Sequence, residues 1–413
     1  MTTTSPISTG LTEASTRPFT PGTSSRLEFI DALRGFACVW VLLCHVQGFW
    51  LDGRPTAAAG PVHWADATVS GFCRIGIAGV DLFIVLSGFC LYWPVVRARR
   101  RGDEFKPALF FKRRARRIIP AYYAAVIACA GLAFWLGPGS FVARLPRLID
   151  VAAYLGFVMT FVPYWLTTVN GTYWSIALEA QLYVCFPLAV WLSRWYGLRS
   201  VVVVAVVVTG SWQLVQCTGL GNRFGISAVA YLYHLPARYF EFVAGMVAAD
   251  FASAPRRGQG RIGLAAALVA LPVALLCAKY EITTWSEVMY SAWGVVFAGL
   301  ILFLAELPAE WFTRPTRAGL LTRVGIVSYS LYLIHAPILI LTTRYVQRAA
   351  SRLHAGPVTV VALFLLVGVP LLTSAAYGCY LVFEKPFMNP AKRPGPLLSP
   401  NPDAPHAAPA GTA

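Results

Sequence analysis

Residues 27–50 read LEFIDALRGFACVWVLLCHVQGFW, a membrane-length apolar helix that carries Asp31, Arg34 and His45. A helix advances about 1.5 Å and 100° per residue, so eleven steps from Arg34 to His45 set both side chains on one face, roughly 16 Å apart. An ionisable residue inside a spanning helix costs at least about 2.5 kcal/mol on insertion scales and normally faces a protein interior or a water-filled cavity. The aligned guanidinium and imidazole therefore read as a site. The alternative is that Asp31 and Arg34 snorkel at the interface while His45 bonds a neighbouring helix.

The rest of the chain extends this reading. Of 413 residues, 57% are hydrophobic and 13% charged, about half the charge of a soluble domain, and mean hydropathy is +0.61. The expected fold is an all-α polytopic membrane protein. Residues 1–26, rich in Ser, Thr and Pro, read as a disordered tail without a signal-peptide pattern. Residues 27–387 read as one transmembrane domain, and residues 388–413 as a second disordered tail. The nine cysteines are scattered with no C-x-x-C pair, which reads as small buried hydrophobes, with neither a disulfide framework nor a metal site.

Apolar segments fall at 30–50, 76–96, 118–137, 149–165, 174–193, 200–217, 229–250, 262–278, 287–305, 325–346 and 357–383. With 149–165 lying flat or re-entering, ten spans remain and both termini are cytoplasmic. Then 23 Lys and Arg fall inside and 9 outside, whereas counting 149–165 as a span gives 17 against 15. The bias of basic residues toward the cytoplasm selects ten spans plus one re-entrant or interfacial segment in the plasma membrane. The net charge of +16 is thus assigned to topology, membrane lipids and an anionic ligand, and not to nucleic acid.

Residues 79–123, GVDLFIVLSGFCLYWPVVRARRRGDEFKPALFFKRRARRIIPAYY, hold ten basic and two acidic residues between 97 and 117, read as a loop leading into a helix. Guanidinium forks at a membrane surface suit phosphate, because each makes paired hydrogen bonds to an oxyanion. Attraction to anionic lipid headgroups is the plainer account. Ser87 and Gly88 within the span are small residues that let helices approach closely, or that leave room for a thin ligand. In residues 170–187, NGTYWSIALEAQLYVCFP, Glu179 shares a helix face with Ser175 and Tyr183. It is expected to find a cation, with Arg238 and Arg34 as candidates, or to serve a site. In residues 324–337, VGIVSYSLYLIHAP, Tyr332 and His335 lie three apart before Pro337, and His335 alone reads first as a satisfied core histidine.

Taken together, six ordered blocks resemble the acyltransferase-3 family of integral membrane acyltransferases that acylate sugars, surface glycans and antibiotics. They are LEFIDALRGFACVWVLLCHV, GVDLFIVLSGFCLYW, FFKRRARRIIPAYY, WSIALEAQLYVCFPL, RYFEFVAGM and VSYSLYLIHAPI. The resemblance implies an acyl-coenzyme A donor, acetyl being the family default. It also implies donor contacts from Arg34, Arg113, Arg114 and Arg117, and an essential His45. Ser87 is placed with the donor contacts, Glu179 beside His45, and Asp31, Tyr332 and His335 with the hydroxyl-bearing acceptor. Acyl transfer needs a base for the hydroxyl proton and a stabilised oxyanion, and His45 is the imidazole read for that base, with a covalent acyl-histidine as the alternative to direct attack. A membrane transporter or flippase for a lipid-linked or antibiotic substrate is the competing class, since it too places polar groups between broken helices.

Overall fold

In the computed structural model, residues 28–52, 61–139, 142–220, 233–254, 256–279, 286–307, 319–388 and 398–400 are described. Their helices, in chain order, are α1 (Glu28–Val46), α2 (Pro61–Arg74), α3 (Ala78–Arg99), α4 (Pro107–Leu136), α5 (Leu148–Leu155), α6 (Trp174–Tyr196) and α7 (Leu198–Cys217). There follow α8 (Leu235–Ser253), α9 (Gln259–Lys279), α10 (Ser286–Leu304), α11 (Leu320–Ile326), α12 (Ser328–Arg352), α13 (Pro357–Leu363) and α14 (Val369–Phe383). A π-helical turn, Gln47–Leu51, extends α1, and another, Phe364–Gly368, joins α13 to α14. The expected all-α membrane architecture is what is found. Among the described residues eight helices are long and apolar enough to cross a membrane, or nine when α11 and α12 count as one broken span. α8 has similar length but carries Arg238, Glu241 and Asp250.

Three local structures bear on the sequence expectation. The segment expected at 325–346 is divided by an 83° bend between α11 and α12, where Ser328 Oγ donates to the Gly325 carbonyl at 2.8 Å. The basic run 112–117 is helical from the outset, because Pro107 starts α4 eleven residues before the expected span. This puts Arg114 and Arg117 on one face. The segment 149–165 is no spanning helix: α5 has eight residues and is followed by the 3-10 turns Met159–Phe161 and Pro163–Thr167, in keeping with an interfacial or re-entrant role. A short antiparallel ribbon pairs Asp103–Phe105 with Leu398–Pro400, Glu104 facing Ser399.

The bundle is assembled through reciprocal glycine contacts. A Cβ on Gly88 of α3 would lie 1.9 Å from the Phe242 carbonyl oxygen of α8, and one on Gly245 of α8 would lie 2.0 Å from that of Val85. Gly35 and Gly325 make the same arrangement between α1 and α11, at 1.9 Å from Leu321 O and 1.8 Å from Asp31 O. Without a hydrophobic drive between helices in lipid, such close backbone approach supplies the packing attraction. Gly88 therefore serves helix contact, and leaves no room there for a ligand. α1 and α3 are the most buried spans, while α7 and α9 lie at the periphery.

Replacing Gly88 with Ala should cost roughly 1–3 kcal/mol or more through overpacking, read as a lower melting temperature in detergent. A Cβ added to Gly210 of α7 would meet nothing within 4 Å, so Gly210→Ala should be neutral or slightly stabilising; equal effects at both positions would contradict this packing.

Candidate functional site

Five helices enclose a cavity of about 100 Å³, lined among others by Arg34, Ser87, Arg114, Arg117, Glu179 and Tyr332. Each helix contributes by its own periodicity. From α3, Val80, Phe83, Ile84, Ser87, Cys90 and Leu91 line it, a single stripe at three- and four-residue spacing. α4 turns Arg114 and Arg117 inward by the same rule. Ser175, Glu179 and Tyr183 come from α6, and Ser328, Tyr329 and Tyr332 from the start of α12.

The polar groups hold one another in place. Arg34 Nη1 pairs with Asp31 Oδ1 at 3.1 Å, and Nη2 donates to Cys90 Sγ at 3.4 Å. Ser87 Oγ donates to Glu179 Oε1 at 2.7 Å, and Tyr183 donates its phenolic proton to the same carboxylate oxygen. Arg114 lies over the Phe110 and Tyr183 rings, 5.8 and 5.6 Å from their centroids, a fixed guanidinium pose that leaves its fork available. The wall thus carries three guanidiniums and one carboxylate, a cationic lining in an apolar frame.

Tyr332 forms part of the cavity wall. Its hydroxyl donates to the Thr172 carbonyl at 2.9 Å and lies 2.6 Å from Ser175 Oγ. Thr172 is itself set by Asn170, whose Oδ1 accepts from the Thr172 amide and hydroxyl at 3.0 and 2.9 Å. The stretch after the interfacial segment therefore places Tyr332. Behind it stands His335, its ring centroid 5.2 Å from that of Tyr332 and 5.1 Å from that of His45. His45 is half-buried and stacks on Phe49 of the π turn at 5.5 Å.

Of the expected site residues, the structure brings together Arg34, Ser87, Arg114, Arg117, Glu179 and Tyr332 around one space. Asp31 supports Arg34 from outside that space, and Arg113 is not among the lining residues. His45 and His335 do not line the cavity; they form a separate pair beyond Tyr332. Neither Arg34 nor Arg238 is the partner of Glu179. Arg238 instead bonds Asp81 and lies with Nε 3.3 Å from Glu241, all three nearly inaccessible, and stacks 3.8 Å over the Tyr290 ring. The pairing of Arg238 with Glu241 follows from their spacing, but Asp81 comes from another helix. Glu384, at the end of the last helix, is buried and accepts a hydrogen bond from Ser330. Cys90 is a lining residue that the sequence reading misses, although it shares the stripe of Ser87.

A bundle that carries basic, hydroxyl and imidazole groups into an apolar interior, with a cationic chamber on one side of an imidazole pair, has the parts of a membrane-embedded transferase. Residues 27–378 match the acyltransferase-3 profile, described as an acyltransferase domain, and the chain belongs to that family. It is 27% identical over 332 residues to acyltransferase MdmB of Streptomyces mycarofaciens, covering 75% of this chain and 78% of that protein. It is 23% identical over 357 residues to peptidoglycan O-acetyltransferase OatA of Listeria monocytogenes, and 24% identical over 339 residues to O-acetyltransferase OatA of Staphylococcus aureus. Those matches cover 82% and 76% of this chain but only 53% and 51% of the two OatA proteins. No solved structure matches. The protein is a polytopic membrane acyltransferase, and the transport reading gives way to it.

Removing one member of the Arg238 cluster strands a buried charge, which costs about 3–5 kcal/mol. Arg238→Met should therefore lower the melting temperature sharply, and Arg238→Met with Asp81→Asn should recover part of the loss. An Arg238→Met protein as stable as wild type would remove the structural role of this cluster.

Proposed function

We propose that this acyltransferase moves an acyl group, acetyl by default, from acyl-coenzyme A to a hydroxyl of a carbohydrate, a surface glycan or the sugar of a secondary metabolite. The observation that carries the reading is the cavity wall, where Arg34, Arg114 and Arg117 share one lining with apolar side chains. Phosphates are held by such forks through short charge-assisted bonds, and the narrow apolar remainder suits a pantetheine arm. The Listeria relative is named for a peptidoglycan acceptor, which favours a glycan hydroxyl without fixing which one.

In this account the donor's phosphates rest on Arg114 and Arg117, and its arm runs past Arg34 and Ser87 toward Tyr332. His45, open on the other side of Tyr332, receives the acceptor and removes its hydroxyl proton as the new ester bond forms. The carbon–sulfur bond breaks, and the departing thiolate recovers that proton from His45, so thioester and alcohol become ester and thiol. For donor and base to meet, Tyr332 leaves its bonds to Thr172 and Ser175. Glu179 holds Ser87 and Tyr183 in place around the arm. The 23 to 9 distribution of basic residues supports a plasma-membrane protein with both termini and the arginine-lined opening on the cytoplasmic side, and an acceptor that arrives from the opposite side.

His45→Ala should lose at least about 100-fold in acetyl-coenzyme A turnover while remaining folded, and retained turnover would take His45 out of the base role. Arg114→Gln and Arg117→Gln should each raise the KM for acetyl-coenzyme A about tenfold, the size of one charge-assisted bond. Mass spectrometry of glycans and small metabolites from cells with and without the gene should reveal a product lighter by one acyl group in its absence. An unchanged set of acylated products would contradict the proposed transfer.

A further inference from the structure

His335 is wholly buried, and its Nδ1 lies 2.6 Å from the Tyr332 carbonyl oxygen. A carbonyl only accepts, so Nδ1 carries the proton and Nε2 of the neutral ring presents a lone pair. That Nε2 is buried and has no hydrogen-bond partner among the described residues. Buried ring nitrogens are normally satisfied, so one that is not asks for an occupant. The imidazole beside it is His45, with centroids 5.1 Å apart and ring planes 36° apart. Two imidazoles sharing an N–H···N bond have centroids roughly 5 Å apart, which is the separation of this pair.

We propose that His335 accepts the second N–H of His45 through Nε2 and so fixes the His45 tautomer whose lone pair faces the acceptor hydroxyl. This rests on His45 being the base. A base needs its free nitrogen aimed at the substrate and its other nitrogen held by an acceptor, a role usually filled by a carboxylate. Here no carboxylate bonds to His45 among the described residues, and a neutral imidazole takes that place. When His45 takes the hydroxyl proton it becomes an imidazolium, and its N–H···Nε2 bond becomes charge-assisted. No proton has to leave the pair, since the thiolate recovers it.

The setting supports the division of labour. His45 is half-buried, whereas His335 has 0% exposure and does not line the donor cavity. His335 is thus a positioning residue. The π turn Gln47–Leu51 begins two residues after His45 and brings Phe49 to stack on its ring, with centroids 5.5 Å and planes 13° apart. Such turns inside helices are frequent at functional sites.

Two amide variants separate this role from simple anchoring. Gln at 335 carries its amide near the ε position, where its carbonyl can accept from His45. Asn carries its amide near the δ position, where its N–H can still donate to the Tyr332 carbonyl. The full-length protein in proteoliposomes is given acetyl-coenzyme A, with water standing in for the acceptor hydroxyl, and free thiol is measured. His335→Asn should lower turnover at least about 100-fold, and His335→Gln should stay within about tenfold of wild type. Turnover kept by His335→Asn overturns the proposal, whether or not His335→Gln keeps it.

Solid-state 15N spectra of histidine-labelled protein at pH 8 give a second readout that needs no turnover. The His45 nitrogen signals should be displaced in His335→Asn and largely kept in His335→Gln; His45 signals identical in wild type and His335→Asn overturn the proposal. A protein that shows the coupled rings but releases no thiol from acetyl-coenzyme A upholds the ring pair and takes down the donor reading alone. Turnover lost in His45→Ala but kept in His335→Asn leaves the base in place and removes His335 from it.

Discussion

Where α1 crosses α11 and where α3 crosses α8, a carbonyl oxygen of one helix lies 1.8–2.0 Å from the place a Cβ of the other would occupy. Backbones this close can be separated only by lengthening every contact around them, and in lipid no hydrophobic term compensates for the loss. The four glycines therefore set the spacing of the bundle. Gly35 is next to Arg34, and Gly88 is next to Ser87. The two residues that bring a guanidinium and a hydroxyl to the cavity thus sit one position from the tightest crossings, where least displacement is tolerated.

Polar groups buried by this packing fall into two kinds. Arg238, Asp81 and Glu241 have about 1–4% side-chain exposure; Arg238 bonds Asp81 and lies within ion-pair distance of Glu241, so the cluster cross-links α3 with α8. Around the cavity the bonding is looser. Glu179 is held by Ser87 and Tyr183, and Arg114 rests on aromatic rings. Its fork is held by stacking and left open at the edge, which is the condition for receiving an outside anion. Tyr332 stands between that chamber and the histidines. Its hydroxyl bond to Thr172 connects the barrier to the irregular stretch after α5.

Much of the fold is legible in the sequence because helical spans announce themselves by length and apolarity, and the chamber's stripes on α3 and α6 follow from periodicity alone. Arg34, Ser87, Arg114, Arg117, Glu179 and Tyr332 stand out for their chemistry and do converge. Placements that depend on long-range contacts are not legible. Arg34 and His45 share a helix face, yet α12 inserts Tyr332 and His335 so that only Arg34 reaches the chamber, a separation that no spacing within α1 encodes. The contact of His45 with His335 spans 290 positions, and the choice of Asp81 for Arg238 spans 157. The helical start of the basic run at Pro107 is obscured because its charge suggests a loop, although proline at the first helical position is a signal for it.

One chamber is proposed to receive the donor and to deliver its acyl end to the histidine pair. An experimental structure with acetyl-coenzyme A bound tests it most directly. The account expects the phosphates within hydrogen-bonding distance of Arg114 and Arg117, the arm beside Arg34 and Ser87, and the thioester at a Tyr332 side chain displaced toward His45. Donor bound outside the chamber, or with its thioester turned away from Tyr332, would contradict it.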